Sequence, residues 1–367
     1  MSPVMQQSLI DLFLQLVRIN AVSGAEKPVV EFIREFLSKY EVDVQEDDAH
    51  IIDGGNAGNV ICRIGGGGNT VLLAHMDTAR PTENVHPQVG SDRITSDQST
   101  ILGADNRAGV AILLYTLQQA LEQTHPCQNF TAVFTVCEET TLSGSRYLTL
   151  GKQIEMGYVF DSSLRPGSFI QETYGAQRFE VHVNGKAAHS GLEPEKGVNA
   201  ILAAGRAISN LTLGRLNGGV LANIGTINGG TGINVVPAEV HMEGEVRGRE
   251  RSDVLATVEH ISNSFLEAAR PLEASVDFDA VWDFESYSIQ STEQVYQRLV
   301  GAMEQVGLAP IPIVSPGGSD ANSLHLKGIR ATNLGIGAQN PHSNEEFILI
   351  EDLIKGAELA LQLVQKV

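Results

Sequence analysis

His75 and Asp77 stand two apart where the apolar run VLLAHMDT ends. Residues two apart on an extended strand project from the same face, so an imidazole and a carboxylate can share one direction there. Four further polar interruptions have the same character. Asp105 sits in GADNRAG, at the head of a helical segment. Glu138 and Glu139 follow the run FTAVFTVC, Asp161 ends the run YVF, and His342 lies in the loop segment NPHSNEEF. Each has an ordinary explanation. Asp105 reads locally as a helix N-cap, the glutamate pair as solvated surface, and the histidines as satisfied polar residues. Two adjacent carboxylates at the end of a buried strand nevertheless repel each other unless a cation holds them. A shared cation accounts for all the interruptions at once. Imidazole mixed with carboxylate suits zinc, manganese or cobalt better than calcium, which prefers oxygen alone.

The elements that must position these residues alternate in type. Apolar residues at 9, 10, 13, 14 and 17 follow helical spacing. Ser23-Gly24-Ala25-Glu26 reads as a capping box that opens a helix toward Tyr40. Strand-like runs follow at 41–46, 59–64 and 70–75. The glycines at 65–68 form a turn between the last two rather than a phosphate loop, because no Lys-Ser/Thr pair follows. NRAGVAILLYTLQQALEQ has helical periodicity, and 130–136 and 158–160 are apolar strands. The alternation predicts an α/β fold, a mixed sheet flanked by helices on both faces. Near residue 176 the pattern changes. RFEVHV alternates strictly, and a helix at 196–210, strands at 218–226 and 239–247, a helix at 252–269 and a strand at 274–282 complete a βαββαβ order. This predicts an inserted α+β sandwich over 176–287. Afterwards the first style returns, with a helix at 291–307, strands PIPIV and ATNLGI, and a final helix from Ile350.

Composition narrows the function. The chain has 367 residues, with 25 Lys+Arg against 44 Asp+Glu and a net charge of -19, which argues against nucleic acid and anionic membranes as partners. Cys62, Cys127 and Cys137 form no framework and read as reduced thiols of a cytoplasmic chain. No targeting segment and no run of 18 apolar residues is present, so neither export nor a membrane is expected.

VLLAHMDT, GADNRAG, VCEET, VFDSS, GKAAHSG and NPHSNEEF, in this order, resemble the co-catalytic di-zinc peptidase family that includes peptidase T, carboxypeptidase G2 and succinyl-diaminopimelate desuccinylase. The resemblance covers essentially the whole chain and is strongest to peptidase T and its shorter relatives. It implies a catalytic metal-binding domain over 1–175 and 288–367, with 176–287 as a lid and dimerisation domain. It implies two divalent ions, zinc first, with manganese or cobalt as alternatives. His75 and Asp161 would complete one metal, Glu139 and His342 the other, and Asp105 would bridge them. Asp77 would orient the site and Glu138 would be the general base. Aspartate at 161 resembles the aminopeptidase and dipeptidase branches. His189 in GKAAHSG matches the family's lid histidine, which stabilises the oxyanion and in dimeric members reaches the partner subunit. Asn234 in GINVVP and Arg247 in GEVRG resemble substrate-binding lid residues. The expected activity is release of the N-terminal residue from tripeptides or other short peptides. A dipeptidase, a carboxypeptidase and an N-acyl amino acid amidohydrolase are alternatives on the same scaffold.

Two features depart from the pattern. Asn106 stands where many relatives carry a second acidic residue, a change expected to remove no ligand. Gly317-Gly318-Ser319-Asp320-Ala321 narrowly misses a G-x-S-x-G nucleophile elbow and is expected to line the pocket instead.

Overall fold

The computed structural model describes residues 1–366. The chain divides into two compact units, one built from 1–172, 288–314 and 319 onward, the other from 173–287 with 315–318. The first unit holds an eight-stranded mixed sheet in the order Asp43–Glu46, Val60–Ile64, Phe130–Thr135, Thr70–His75, Met156–Ser162, Arg330–Gly335, Ser168–Thr173, Ile311–Ser315. Its four middle strands are parallel. Antiparallel neighbours flank them at Val60–Ile64 and Ser168–Thr173.

Parallelism is what makes a site here. His75 is the last residue of its strand, Glu138 comes three residues after Thr135, Asp161 is penultimate in its strand, and Arg330–Gly335 leads toward His342. Strands that share a direction open their C-terminal ends on one edge of the sheet, so residues far apart in sequence arrive together. Every residue of Thr70–His75 and Phe130–Thr135 is buried, as expected of strands covered on both faces. Adjacent residues show both coverings. A Cβ at Gly157 would meet Leu324 of the helix Asp320–Leu326, whereas Tyr158, on the opposite face, donates its hydroxyl to Val295 O. The helix Ala104–Leu121 is buried nearly all round and packs beside Pro3–Val17 and Ile350–Leu363.

Two local expectations fail at helix starts. The helix Lys27–Leu37 has no side-chain cap. Ser23 instead donates its hydroxyl to Asp77 Oδ2 at 2.6 Å, and Glu26 accepts from the Gly24 and Cys137 amides. The Ser23 hydroxyl is oriented by a charge-assisted bond to a buried carboxylate, and the local capping motif does not form. Likewise Asp105 caps nothing: the N-cap of its helix is Gly103, and Asp105 lies within the first turn in a non-helical conformation. The structure also holds a small four-stranded sheet, Ala338–Gln339, Phe347–Leu349, Arg93–Thr95 and Gln88–Val89. Strands of two or three residues are too short to show an alternating pattern, so none was anticipated.

The second unit is a five-stranded antiparallel sheet in the order Gly214–Arg215, Leu221–Gly229, Glu239–Gly248, Gly175–Asn184, Ser275–Phe284. The helices Ala200–Ser209 and Arg251–Ala269 pack together and against the sheet. Phe179, Val181 and Val183 point into the core with Val240, Met242 and Val246, while Arg178 and Glu180 are exposed, as strict alternation requires. Gly244 lies where a Cβ would come within 2.2 Å of the Phe179 ring and 2.4 Å of Asn223 O. The backbone oxygen cannot move aside. Gly244→Ala should therefore destabilise this unit by about 1–3 kcal/mol. Thermal unfolding measures this, and an unchanged midpoint would contradict the close approach.

Candidate metal centre

His75 is almost wholly buried at its strand end, with Asp77 fully buried beside it. Its Nδ1 lies 3.1 Å from the Asp77 carbonyl oxygen and 3.3 Å from Oδ1. An Nδ1–H committed there leaves Nε2 presenting its lone pair outward. Outward stand Asp161 Oδ1 at 3.0 Å and Asp105 Oδ1 at 3.3 Å. A lone pair facing two carboxylate oxygens is repulsive unless a second proton or a metal ion stands between them.

The same arrangement recurs around the second imidazole. His342 Nε2 lies 3.1 Å from Glu139 Oε2 and 3.5 Å from Asp105 Oδ2. Asp105 thus turns Oδ1 toward one histidine and Oδ2 toward the other. His75, Asp105 and Glu139 each offer a donor atom within 4.8 Å of the others. Glu139 Oε1 is buried and has no hydrogen-bond partner. An orphan carboxylate oxygen among imidazole nitrogens and further carboxylates matches the chemistry of a transition-metal donor set.

The backbone is bent to achieve this. Cys137 and His342 both adopt left-handed conformations, with φ of 53° and 63°. For residues with a Cβ, such φ values cost about 1–3 kcal/mol each and persist where surrounding contacts enforce them. The turn at Cys137 aims the Glu138 and Glu139 amides back at Asp77, which accepts from both at 3.1 Å. Arg80 donates to the His342 carbonyl and to Asn344 Oδ1, tying down the other bend.

Electrostatics follow from crowding. Burial, then repulsion from Asp161, raises the Glu138 pKa well above the carboxylate range. Burial raises Glu139 too, against the opposing hydrogen bond from His342. Asp105 falls to about 2, because hydrogen bonds from His342 and His75 outweigh its burial. Hydrogen bonds to Asp105 and Glu139 lift His342 to about 10. Asp105, Glu138, Glu139 and Asp161 thus gather four carboxylates around the two imidazoles of His75 and His342.

Several supporting residues were not anticipated. Glu346, buried, accepts from the Gly103 and Asp105 amides at 2.6 and 2.9 Å, and burial pushes its pKa up to about 7. Asn333 donates to Asp161 Oδ2 at 3.0 Å and accepts from the Ser162 amide. Asn106 donates to Phe160 O and reaches Asp161 Oδ1 at 3.4 Å, so it holds a neighbour rather than merely replacing an acid. Asn333 had a usable signal, an amide inside the apolar run ATNLGI. Glu346 had none, because NPHSNEEF looks like a solvated loop. Ser319 accepts from the Ala321 amide and caps Asp320–Leu326, so its hydroxyl serves the helix, with no trait of a nucleophile.

His189, Asn234 and Arg247 belong to the second unit. His189 Nδ1 accepts from the Gly191 and Leu192 amides, which leaves the proton on Nε2. Ser190 donates to the Asn234 carbonyl. Arg247 forms a forked pair with Glu245 and donates to Pro316 O.

Residues 71–366 match the family described as Peptidase family M20/M25/M40. A tripeptidase of Staphylococcus aureus subsp. aureus Mu50 is 31% identical, with a TM-score of 0.92 and 98% of each chain covered. The aminopeptidase PepT of Bacillus cereus ATCC 10987 is 30% identical, with a TM-score of 0.88 and the same coverage. YqjE of Bacillus subtilis (strain 168), described as uncharacterized, is 33% identical over 99% of both chains. With its mixed sheet flanked by helices, the chain belongs to the M20/M25/M40 peptidase family and is a hydrolase of peptide bonds.

Proposed function

We propose that this chain is a two-metal aminopeptidase that releases the N-terminal residue from tripeptides and other short peptides. The observation that carries this reading is Asp105, which offers one oxygen toward each of two imidazoles. Similarity to a tripeptidase and to an aminopeptidase supports the substrate class. In this reading His75 and Asp161 would hold one divalent ion, Glu139 and His342 the other, and Asp105 would serve both. The donor set suits zinc, with manganese or cobalt as substitutes. Two divalent ions held there would polarise a substrate carbonyl and lower the pKa of water from about 15.7 toward roughly 7.

Glu138 accepts the proton of the attacking water and returns it to the leaving amine. Asp77 keeps the His75 proton on Nδ1, so that Nε2 stays available as a donor. Asn333 and Asn106 hold Asp161, and Glu346 anchors the backbone of Asp105. His189, with its proton on Nε2, is a donor suited to the developing oxyanion, and it takes that role in a homodimer formed through the second unit. Asn234 and Arg247 bind the substrate, with Arg247 exchanging Glu245 for a substrate carboxylate. Among the described residues no helix is long and apolar enough to cross a membrane. In this reading the enzyme is cytoplasmic, and Cys62, Cys127 and Cys137 form no disulfide.

Three outcomes test this reading. Tri-alanine should be cleaved to alanine and di-alanine, and N-acetyl-tri-alanine should resist; a preference for the blocked peptide would reassign the enzyme to the amidohydrolase alternative. Glu138→Gln should lower kcat by about 10²–10⁴-fold while metal content, measured by elemental analysis, stays at the wild-type level. Glu346→Ala should weaken metal affinity by about 10–100-fold through loss of its hold on Asp105, read by competition with a chelator.

A further inference from the structure

A second cluster of metal-ligating side chains lies entirely within the second unit, on the five-stranded sheet. His182 and His241 are direct cross-strand partners. Glu180 precedes His182 by two residues and so projects from the same face. That face is the one turned away from the core, since the alternate residues Phe179, Val181 and Val183 are buried. The two rings stack with centroids 4.5 Å apart. Both Nε2 atoms converge on a single oxygen, Glu180 Oε1, at 3.0 Å from His182 and 2.6 Å from His241. The three donor atoms lie within 4.8 Å of one another.

From this geometry we infer that Glu180, His182 and His241 form a separate site for a divalent transition-metal ion, distinct from the catalytic pair and open to solvent. Tetrahedral zinc with bonds of about 2.0–2.1 Å sets its ligands about 3.3–3.4 Å apart. Small side-chain rotations bring the three donors to that spacing, and water supplies the fourth position. The surroundings favour a cation. Glu243 and Asp279 lie opposite Glu180 on the two neighbouring strands, and Asp277 lies opposite His182. One divalent ion satisfies both nitrogens and the carboxylate at once. The ion would clip Gly175–Asn184 to Glu239–Gly248, and its binding would stabilise the folded unit by mass action.

The test uses full-length protein already loaded at its catalytic centre and desalted, compared with the His182→Asn/His241→Asn variant prepared identically. Both are dialysed against micromolar zinc, and bound metal is counted by elemental analysis. Wild type should retain about one further equivalent per chain, and zinc should raise its thermal midpoint but not that of the variant. Equal uptake by the two proteins overturns the inference. The variant's midpoint before zinc addition shows that it is folded. Because the catalytic centre fills equally in both, the comparison stands whatever peptide the enzyme cleaves.

Discussion

Burying the carboxylate of Asp77 costs several kcal/mol unless strong donors surround it, and here they do. One oxygen accepts from the Glu138 amide, and the other from the Glu139 amide and the Ser23 hydroxyl. His75 completes the shell through Nδ1. A single charged group thereby joins the end of one strand, the left-handed turn after another and the loop before a helix. Burial alone would push protons onto this carboxylate, but hydrogen bonds from His75, Ser23 and the Glu138 amide hold its pKa below the usual range. The turn at Cys137 turns the Glu138 and Glu139 amides onto this acceptor, while the Glu139 carboxylate reaches His342.

Around that junction lies a shell of neutral amides and backbone donors. Asn106 and Asn333 orient Asp161 without adding charge. That choice matters, because another carboxylate at either position would add to the repulsion among the carboxylates gathered there. Glu346 is the exception, and its placement is instructive. It faces backbone amides at the head of the helix Ala104–Leu121. There the helix dipole and unpaired N–H groups favour negative charge. Arg107, fully buried and donating to the Ile19 and Ala21 carbonyls, lends Asp77 and Glu26 a nearby positive charge.

The two units solve the burial problem differently. The first covers a largely parallel sheet on both faces, so its polar residues concentrate at strand ends. The second covers one face of an antiparallel sheet and leaves the other to solvent, so polar residues run along its strands. Donor atoms in the first unit are held by networks of buried hydrogen bonds. Those of the second, Glu180, His182 and His241, are brought together on an exposed face by strand register.

Element type and order were legible from the chain, because hydrophobic periodicity is a local property that survives in one dimension. The runs at 59–64, 70–75 and 130–136 became buried strands, and RFEVHV became a half-exposed one. The chemical types of the residues that gather at the candidate site were legible too, since polar residues ending apolar runs stand out by composition. Tertiary structure decided which partner each polar group found. Ser23 and Glu26 spell a capping box and serve a buried carboxylate and a turn instead. Asp105 reads as a cap and instead spans two histidines distant in sequence. Glu346 looked solvated and proved buried. A buried polar atom takes the strongest partner within reach, and what lies within reach is fixed by parallel strands converging in space, which no local window of residues records.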